Sequence, residues 1–292
     1  MTSSDTGTAD SLHRKPLDEE IDFFGLTHMG KVRKTNQDHF LISSMRKHME
    51  IHYTSLPNAD ELPLVGERLA FLAMVADGVG GGTKGEMASR LTVEVVAKYV
   101  AHSMRCYYTT DPHDEQAFFD ALREAAMQCH ESVVKQAEGD PDRRGMATTL
   151  TLWIGVWPEA YLLQVGDSRF YVLRDGELTQ ISRDQTMAQE LVDQGVLTQS
   201  RAFETRWAHV LSSAIGGAQT APVVTRLEQG WDNVGLLCSD GLTKHVPDER
   251  IGERLRTMTS ARQVCEDLLQ DALDGGGTDN ITIIVGRDIR RA

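Results

Sequence analysis

Apolar residues follow two rhythms along this chain. Short blocks of strand length stand at residues 21–27, 38–44 and 69–75, with a turn-rich stretch, Gly30-Lys-Val-Arg33-Lys-Thr-Asn36-Gln37, after the first. Residues 45–68 contain Pro57, Asn58, Pro63 and Gly66 and read as an excursion between two strands. The period then becomes helical. Leu91, Val95, Val96 and Tyr99 recur over about 86–105, and Phe118, Ala121, Leu122, Ala125, Ala126 and Cys129 over 114–137. From Ala147 it returns to strands: 149–156, then 160–165 and 169–174 around Gly166-Asp167-Ser168. Asp175-Gly176 is a tight-hairpin signal leading into 177–181. Residues 186–194 predict a short helix closed by Gly195, and the chain to Ala208 reads as irregular. Strands follow at 223–228 and 233–238. Pro247 opens a helix at its first turn, a second runs over 261–273 to Gly275-Gly276-Gly277, and 281–286 is the last strand. Elements come in blocks, not in strict β-α alternation, which predicts antiparallel sheets with helices packed outside. No internal repeat is visible. Residues 1–18, rich in Thr, Ser and Asp, predict a disordered lead-in.

Composition narrows the partners. The 292 residues are 40% hydrophobic, enough for a substantial core, and carry a net charge of −13. That charge argues against nucleic acid and anionic membrane and favours cations or basic segments. Four scattered cysteines, Cys106, Cys129, Cys238 and Cys265, form no C-x-x-C pair and read as buried thiols in a reducing compartment. No apolar run reaches the roughly 18 residues of a spanning helix. The polar start of the chain has no signal-peptide core, so a soluble cytoplasmic protein is expected.

Candidate chemistry sits at strand ends. Asp77-Gly78 follows the 69–75 strand, Asp167 lies between two strands, Ser239-Asp240-Gly241 ends another, Asp279-Asn280 precedes the last, and Asp38 opens the second. Singly, such pairs are ordinary turn and cap formers. Together they offer what hard cations such as Mg²⁺ and Mn²⁺ need: several anionic oxygens from separate segments. Asp-only ligation and unclustered histidines argue against zinc. His245 reads as a residue at a helix start, and His28 and His209 as structural.

Six segments, in order from Gly25 to Val285, resemble the metal-dependent protein serine/threonine phosphatases (type 2C, PPM), specifically the bacterial branch. They are Gly30 to Asp38; Ala76-Asp77-Gly78-Val-Gly-Gly81 with Gly85-Glu86-Met-Ala-Ser89; Gly145-Met-Ala-Thr148-Thr149; Val165-Gly-Asp167-Ser-Arg169-Phe-Tyr171; Leu237-Cys-Ser-Asp240-Gly241-Leu242; and Thr278-Asp279-Asn280-Ile281-Thr282. The resemblance implies an α+β fold, a four-layer αββα sandwich of two antiparallel sheets flanked by helices, with residues 19–292 as a single catalytic domain. It implies two Mn²⁺ or Mg²⁺ ions and a third, weaker one. Asp77 would bridge the pair, Gly78 would add its carbonyl, and Asp240 and Asp279 would complete one ion. Asp38 would act through a water, Asp167 would belong to the third site, and Arg33 would clamp the phosphate, as a planar fork can. The implied reaction is hydrolysis of phosphoserine or phosphothreonine in proteins by a water activated between the ions, reversing a cytosolic protein kinase, in a monomer.

Two departures from the family's pattern stand out. Many eukaryotic relatives carry a histidine after the Asp-Gly pair, where this chain has Val79, and Ala147 replaces a common glycine. Residues 184–217 resemble the mobile flap, whose Arg201, Arg206 and Trp207 either meet substrate or belong to a solvated loop with one buried indole. Two other motifs fail. Gly25 to Val32 nearly spells a P-loop but ends in Val32 where Ser or Thr is needed, and Gly78 to Thr83 departs from a dinucleotide fingerprint at Thr83. A catalytically silent binding module on the same fold is the remaining alternative, and it would be expected to have lost some of these acids.

Overall fold

The computed structural model describes residues 14–48, 50, 51, 53, 65–80, 83–107, 115–138, 140–202 and 204–290. One sheet orders β1 (Ile21–His28), β11 (Ile281–Asp288), β10 (Val234–Cys238), β7 (Arg169–Arg174) and β8 (Glu177–Gln180). The other orders β2 (Asp38–His48), β3 (Val65–Val79), β5 (Leu150–Val156), β6 (Glu159–Val165) and β9 (Val223–Glu228), with β4 (Ala147–Thr148) on the end of β3. Every pairing is antiparallel. Helices α1 (Thr83–Tyr107) and α2 (Glu115–Glu138) cover the β2–β3 sheet, and α6 (Asp248–Arg256) and α7 (Ala261–Asp274) cover the β1–β11 sheet. Three short pieces complete the order: α3 (Met187–Asp193) and α4 (Gln199–Ala202) between β8 and β9, and α5 (Asp240–Thr243) after β10. The expected αββα sandwich is the observed one.

Why the strands read as apolar runs is visible in β3. Leu72 and Met74 pack towards the helices while Ala73 and Val75 pack between the sheets. The same alternation splits Leu236 and Cys238 from Leu237, and Ile283 and Val285 from Ile284. A strand buried on both faces has no polar positions to alternate with. The Asp175-Gly176 hairpin has φ of 51° and 80° at its two central residues, as a type I′ turn requires. Ser260 caps α7 by accepting from the backbone N–H of Gln263.

Three boundaries differ from the sequence reading. Strands β2 and β3 pair beyond Met45, through register shifts, out to His48 opposite Val65. The excursion therefore shrinks from 45–68 to 49–64, most of which lies outside the described residues. Arg46, Lys47 and His48 are exposed, so this ribbon carries no apolar rhythm to read. Of the expected lead-in, residues 1–13 lie outside the described residues. Arg14 pairs with Glu20, Pro16 is buried, and Arg68 reaches both Asp18 and the Pro16 carbonyl. Helix α4 forms in the stretch read as irregular. Among the described residues, no helix is long and apolar enough to cross a membrane.

One glycine fixes the geometry around the later site. A Cβ on Gly241 would lie 1.9 Å from the Asn280 carbonyl oxygen, so α5 approaches the start of β11 only because the side chain is missing. Gly241→Ala is expected to cost about 3 kcal/mol, an overpacking penalty against backbone, read as a lowered Tm. A Tm unchanged from wild type would contradict this packing.

Candidate metal and phosphate site

The candidate acids meet at one end of the sandwich. Asp38 and Asp77 face each other across β2 and β3. Cys238 pairs with Ile283, so the chain leaving β10 delivers Asp240 next to the chain entering β11, which carries Asp279. The β6–β7 turn adds Asp167. A cleft of about 660 Å³ is lined by Arg33, Gln37, Asp77, Gly78, Asp167, Asp240, Lys244 and Asp279, with His209, Val210 and Leu211 contributed by residues 184–217. A separate apolar cavity between the sheets, lined by Phe23, Trp153 and Phe170, holds none of these acids.

Backbone and amide contacts build the cleft. The Asn280 side chain donates to the carbonyls of Met29 (3.0 Å) and Thr35 (2.9 Å) and accepts from the Gln37 N–H (2.9 Å). That ties the 30–37 loop to β11 and presents Arg33, whose Nε lies 2.7 Å from Asp279 Oδ1. Gly78 sits where a Cβ would meet the Gly85 carbonyl oxygen at 2.3 Å and that of Gln37 at 2.7 Å, so a side chain there would push α1 away. The Asp77 N–H donates to Thr149 Oγ1 (3.0 Å), and its carbonyl accepts from Thr148 Oγ1 (2.8 Å) and Thr149 N (2.9 Å). Asp38 Oδ2 accepts from Ser239 Oγ (2.8 Å) and Thr282 Oγ1 (2.7 Å).

Electrostatics leave these acids in want of positive charge. Burial pushes Asp38 up to about 6, with Asp240 and Asp279 adding repulsion that the hydroxyls of Thr282 and Ser239 only partly offset. Burial, then repulsion from Asp38 and Asp240, drives Asp77 well above the carboxylate range; burial and Asp240 do the same to Asp167. Asp279 goes the other way: hydrogen bonds from Arg33 and Lys244 outweigh the burial that would raise it. Asp38 Oδ1 and Asp240 Oδ1 are buried with no hydrogen-bond partner. Orphaned carboxylate oxygens among mutually repelling acids fit a hard dication. Among the described residues, no three His, Cys, Asp or Glu side chains already converge on one point as a ready cage.

The linkage has a definite sign. A carboxyl with a folded value above its unfolded one keeps a proton that the unfolded chain has given up, so stability falls as pH rises between the two. For Asp38 that window runs from 3.8 to about 6. In EDTA, the Tm advantage of Asp38→Asn over wild type is expected to grow across the window and level off above it. A constant difference from pH 4 to 7 would contradict the buried, unneutralised carboxylate.

Of the predicted site residues, Arg33, Asp77, Gly78, Asp167, Asp240 and Asp279 line this cleft, while Asp38 is buried behind it, opposite Asp77. The structure also adds groups that sequence reasoning had not assigned: Lys244, one helical turn after Asp240, and the hydroxyls of Ser239, Thr282 and Thr149 that orient acids or their backbone. The i, i+4 spacing of Asp240 and Lys244 was the available signal. His209, read as structural, lines the cleft. His245 accepts from the Thr278 N–H and supports the 275–278 turn, and His28 accepts from Gly30 N. Trp207 is not the buried indole of the loop reading: it is 39% exposed, with Arg206 stacked on it. The partly buried Arg169 guanidinium ties the start of this segment down through Asp184 (2.7 Å).

Residues 50–275 match the protein phosphatase 2C family, and the chain belongs to it. It is 36% identical over 228 residues to the serine/threonine protein phosphatase PstP of Mycobacterium tuberculosis, covering 78% of this chain but only 42% of that protein. It is 30% identical to the serine/threonine phosphatase stp of Listeria monocytogenes, over 84% of this chain and 92% of that one. Among solved structures, the M. tuberculosis PstP phosphatase superposes with a TM-score of 0.73 at 31% identity, covering 93% of this chain and 99% of that one. The PstP catalytic domain in complex with two manganese ions gives 0.71 at 31% identity, covering 92% and 99%.

Proposed function

We propose that this chain hydrolyses phosphoserine and phosphothreonine in proteins at a site for two Mn²⁺ or Mg²⁺ ions. The observation that carries the reading is the convergence of Asp77, Asp240, Asp279 and Arg33 in one cleft of a protein phosphatase 2C fold, with Asp38 buried directly behind Asp77. Asp77 would hold the pair of ions and Gly78 would add its carbonyl, Asp240 and Asp279 would complete one, and Asp167 would serve a third. Asp38, whose Oδ2 is held by Ser239 and Thr282, would orient water with its free Oδ1. When bound, the ions lower the pKa of an attacking water and offset charge on the phosphoryl group.

The chain's own groups do the rest. Arg33 is half-exposed at the cleft, and its planar fork suits two phosphate oxygens; to reach them it exchanges Asp279 for the substrate. Val79 has no proton to give, so protonation of the leaving alkoxide falls to water or to another group in the cleft. No Ser, Cys or His is needed as a nucleophile: Cys238, for one, is buried and its thiol is pushed up to about 12 by burial. All site residues come from one chain, so a monomer suffices. Opposition to a cytosolic protein kinase, with residues 19–292 acting as one catalytic domain, completes the proposal.

The test is turnover of a phosphothreonine peptide in Mn²⁺, in Mg²⁺ and in EDTA. Hydrolysis with either metal and none in EDTA is expected. Equal turnover in EDTA would remove the metal reading, and folded protein inactive with every metal would leave a binding module.

A further inference from the structure

Lys244 has no role in the reaction derived so far, yet it stands at the centre of the acids. It follows α5 directly, its N–H donating to the Asp240 carbonyl at 2.9 Å. Its side chain folds back over that turn to place Nζ 2.6 Å from Asp240 Oδ2 and 2.7 Å from Asp279 Oδ2. The position is set by backbone: the bare Gly241 lets α5 lie against Asn280, and Leu242 anchors it in the core. This is not a solvated surface pair, since Lys244 is 21% exposed and both partners are 17% exposed.

We infer that Lys244 is a built-in competitor for the divalent cation, a tethered positive charge that occupies the Asp240–Asp279 carboxylate pair and sets how tightly a metal ion binds there. The inference rests on the two-ion reading. Asp240 and Asp279 are the pair assigned to complete one ion, and they converge on an ammonium instead of on a point shared with a third acid. An oxygen that accepts from an ammonium at 2.6–2.7 Å has less lone-pair density for a metal. A unit positive charge a few ångströms from a dication also repels it, strongly so where water is partly excluded. Arg33 also touches Asp279, but it is half-exposed on a loop and contacts one acid; Lys244 is the cation common to both. The same charge offsets repulsion within the acidic cleft, so it contributes to the fold whenever metal is scarce. Metal binding then exchanges one cation for another, and the site fills only when the ion's concentration is high enough to displace the lysine.

The experiment is calorimetric titration of Mn²⁺ into chelator-free wild type, Lys244→Gln and Lys244→Arg, with Tm of each in EDTA and in Mn²⁺. Lys244→Gln is expected to bind one Mn²⁺ at least about tenfold tighter, as removal of a nearby like charge demands. It should melt below wild type in EDTA and show a larger rise on adding Mn²⁺. Lys244→Arg, which keeps the charge, should stay within about threefold of wild type and certifies that the position tolerates substitution. Equal or weaker Mn²⁺ binding by folded Lys244→Gln overturns the inference alone. Mn²⁺ binding by none of the three overturns the two-ion reading and the inference with it.

Discussion

Asp77→Asn is expected to lower turnover of a phosphothreonine peptide in Mn²⁺ by about 10³-fold, while raising the Tm of the protein in EDTA. The two signs have one origin. Asp77 lies opposite Asp38, near Asp240 and Asp167, and its carboxyl is driven up by burial and by those neighbours. A neutral amide of the same shape removes that repulsion and should stabilise the fold at neutral pH. The same change takes away the charge proposed to be shared by both ions. About 4 kcal/mol lost from the barrier stabilisation corresponds to the thousandfold. Steady-state kinetics and thermal melts on one preparation check both signs. An active variant would remove Asp77 from the reaction, and an inactive variant that melts lower in EDTA would show lost structure, not lost chemistry.

Arg33→Ala is expected to reduce kcat/KM for the same peptide by about 100-fold, roughly the 2–3 kcal/mol of a charge-assisted bidentate contact. Arg33→Lys should recover only part, because a point charge cannot match the fork. The Tm should change little, since Arg33 is itself half-exposed and Lys244 already holds Asp279 Oδ2 when the guanidinium is removed. Wild-type kinetics for Arg33→Ala would show that the guanidinium does not meet the phosphate, and its contact with Asp279 would then be its whole role.

Much of this could be read from the chain because the informative signals are local. An Asp-Gly pair at a strand end, a type I′ hairpin at Asp175-Gly176 and two helix-periodic blocks are each visible within a few residues. The doubly buried strands of the sandwich announced themselves as apolar runs such as 69–75. The rest depends on residues far apart in sequence. Nothing near Thr282 states that its hydroxyl reaches Asp38, 244 positions away, and nothing near Asn280 states that it pins the 30–37 loop. The β2–β3 ribbon beyond Met45 carries no apolar rhythm, because Arg46, Lys47 and His48 face water and Arg68 is buried through polar contacts to Asp18 and Pro16. His209 read as structural because its place at the cleft depends on how the chain between β8 and β9 folds back over the sandwich. Lys244 is the intermediate case: its spacing from Asp240 was legible, but its second partner, Asp279, was not.

The measurement closest to the central claim is anomalous scattering from crystals grown with Mn²⁺. Two peaks about 3.5–4 Å apart, on either side of the Asp77 carboxylate and within reach of Gly78, Asp240 and Asp279, are the expected result. Peaks absent from this cleft, or a single ion that leaves Asp77 uncoordinated, would contradict a two-ion phosphatase site in this chain.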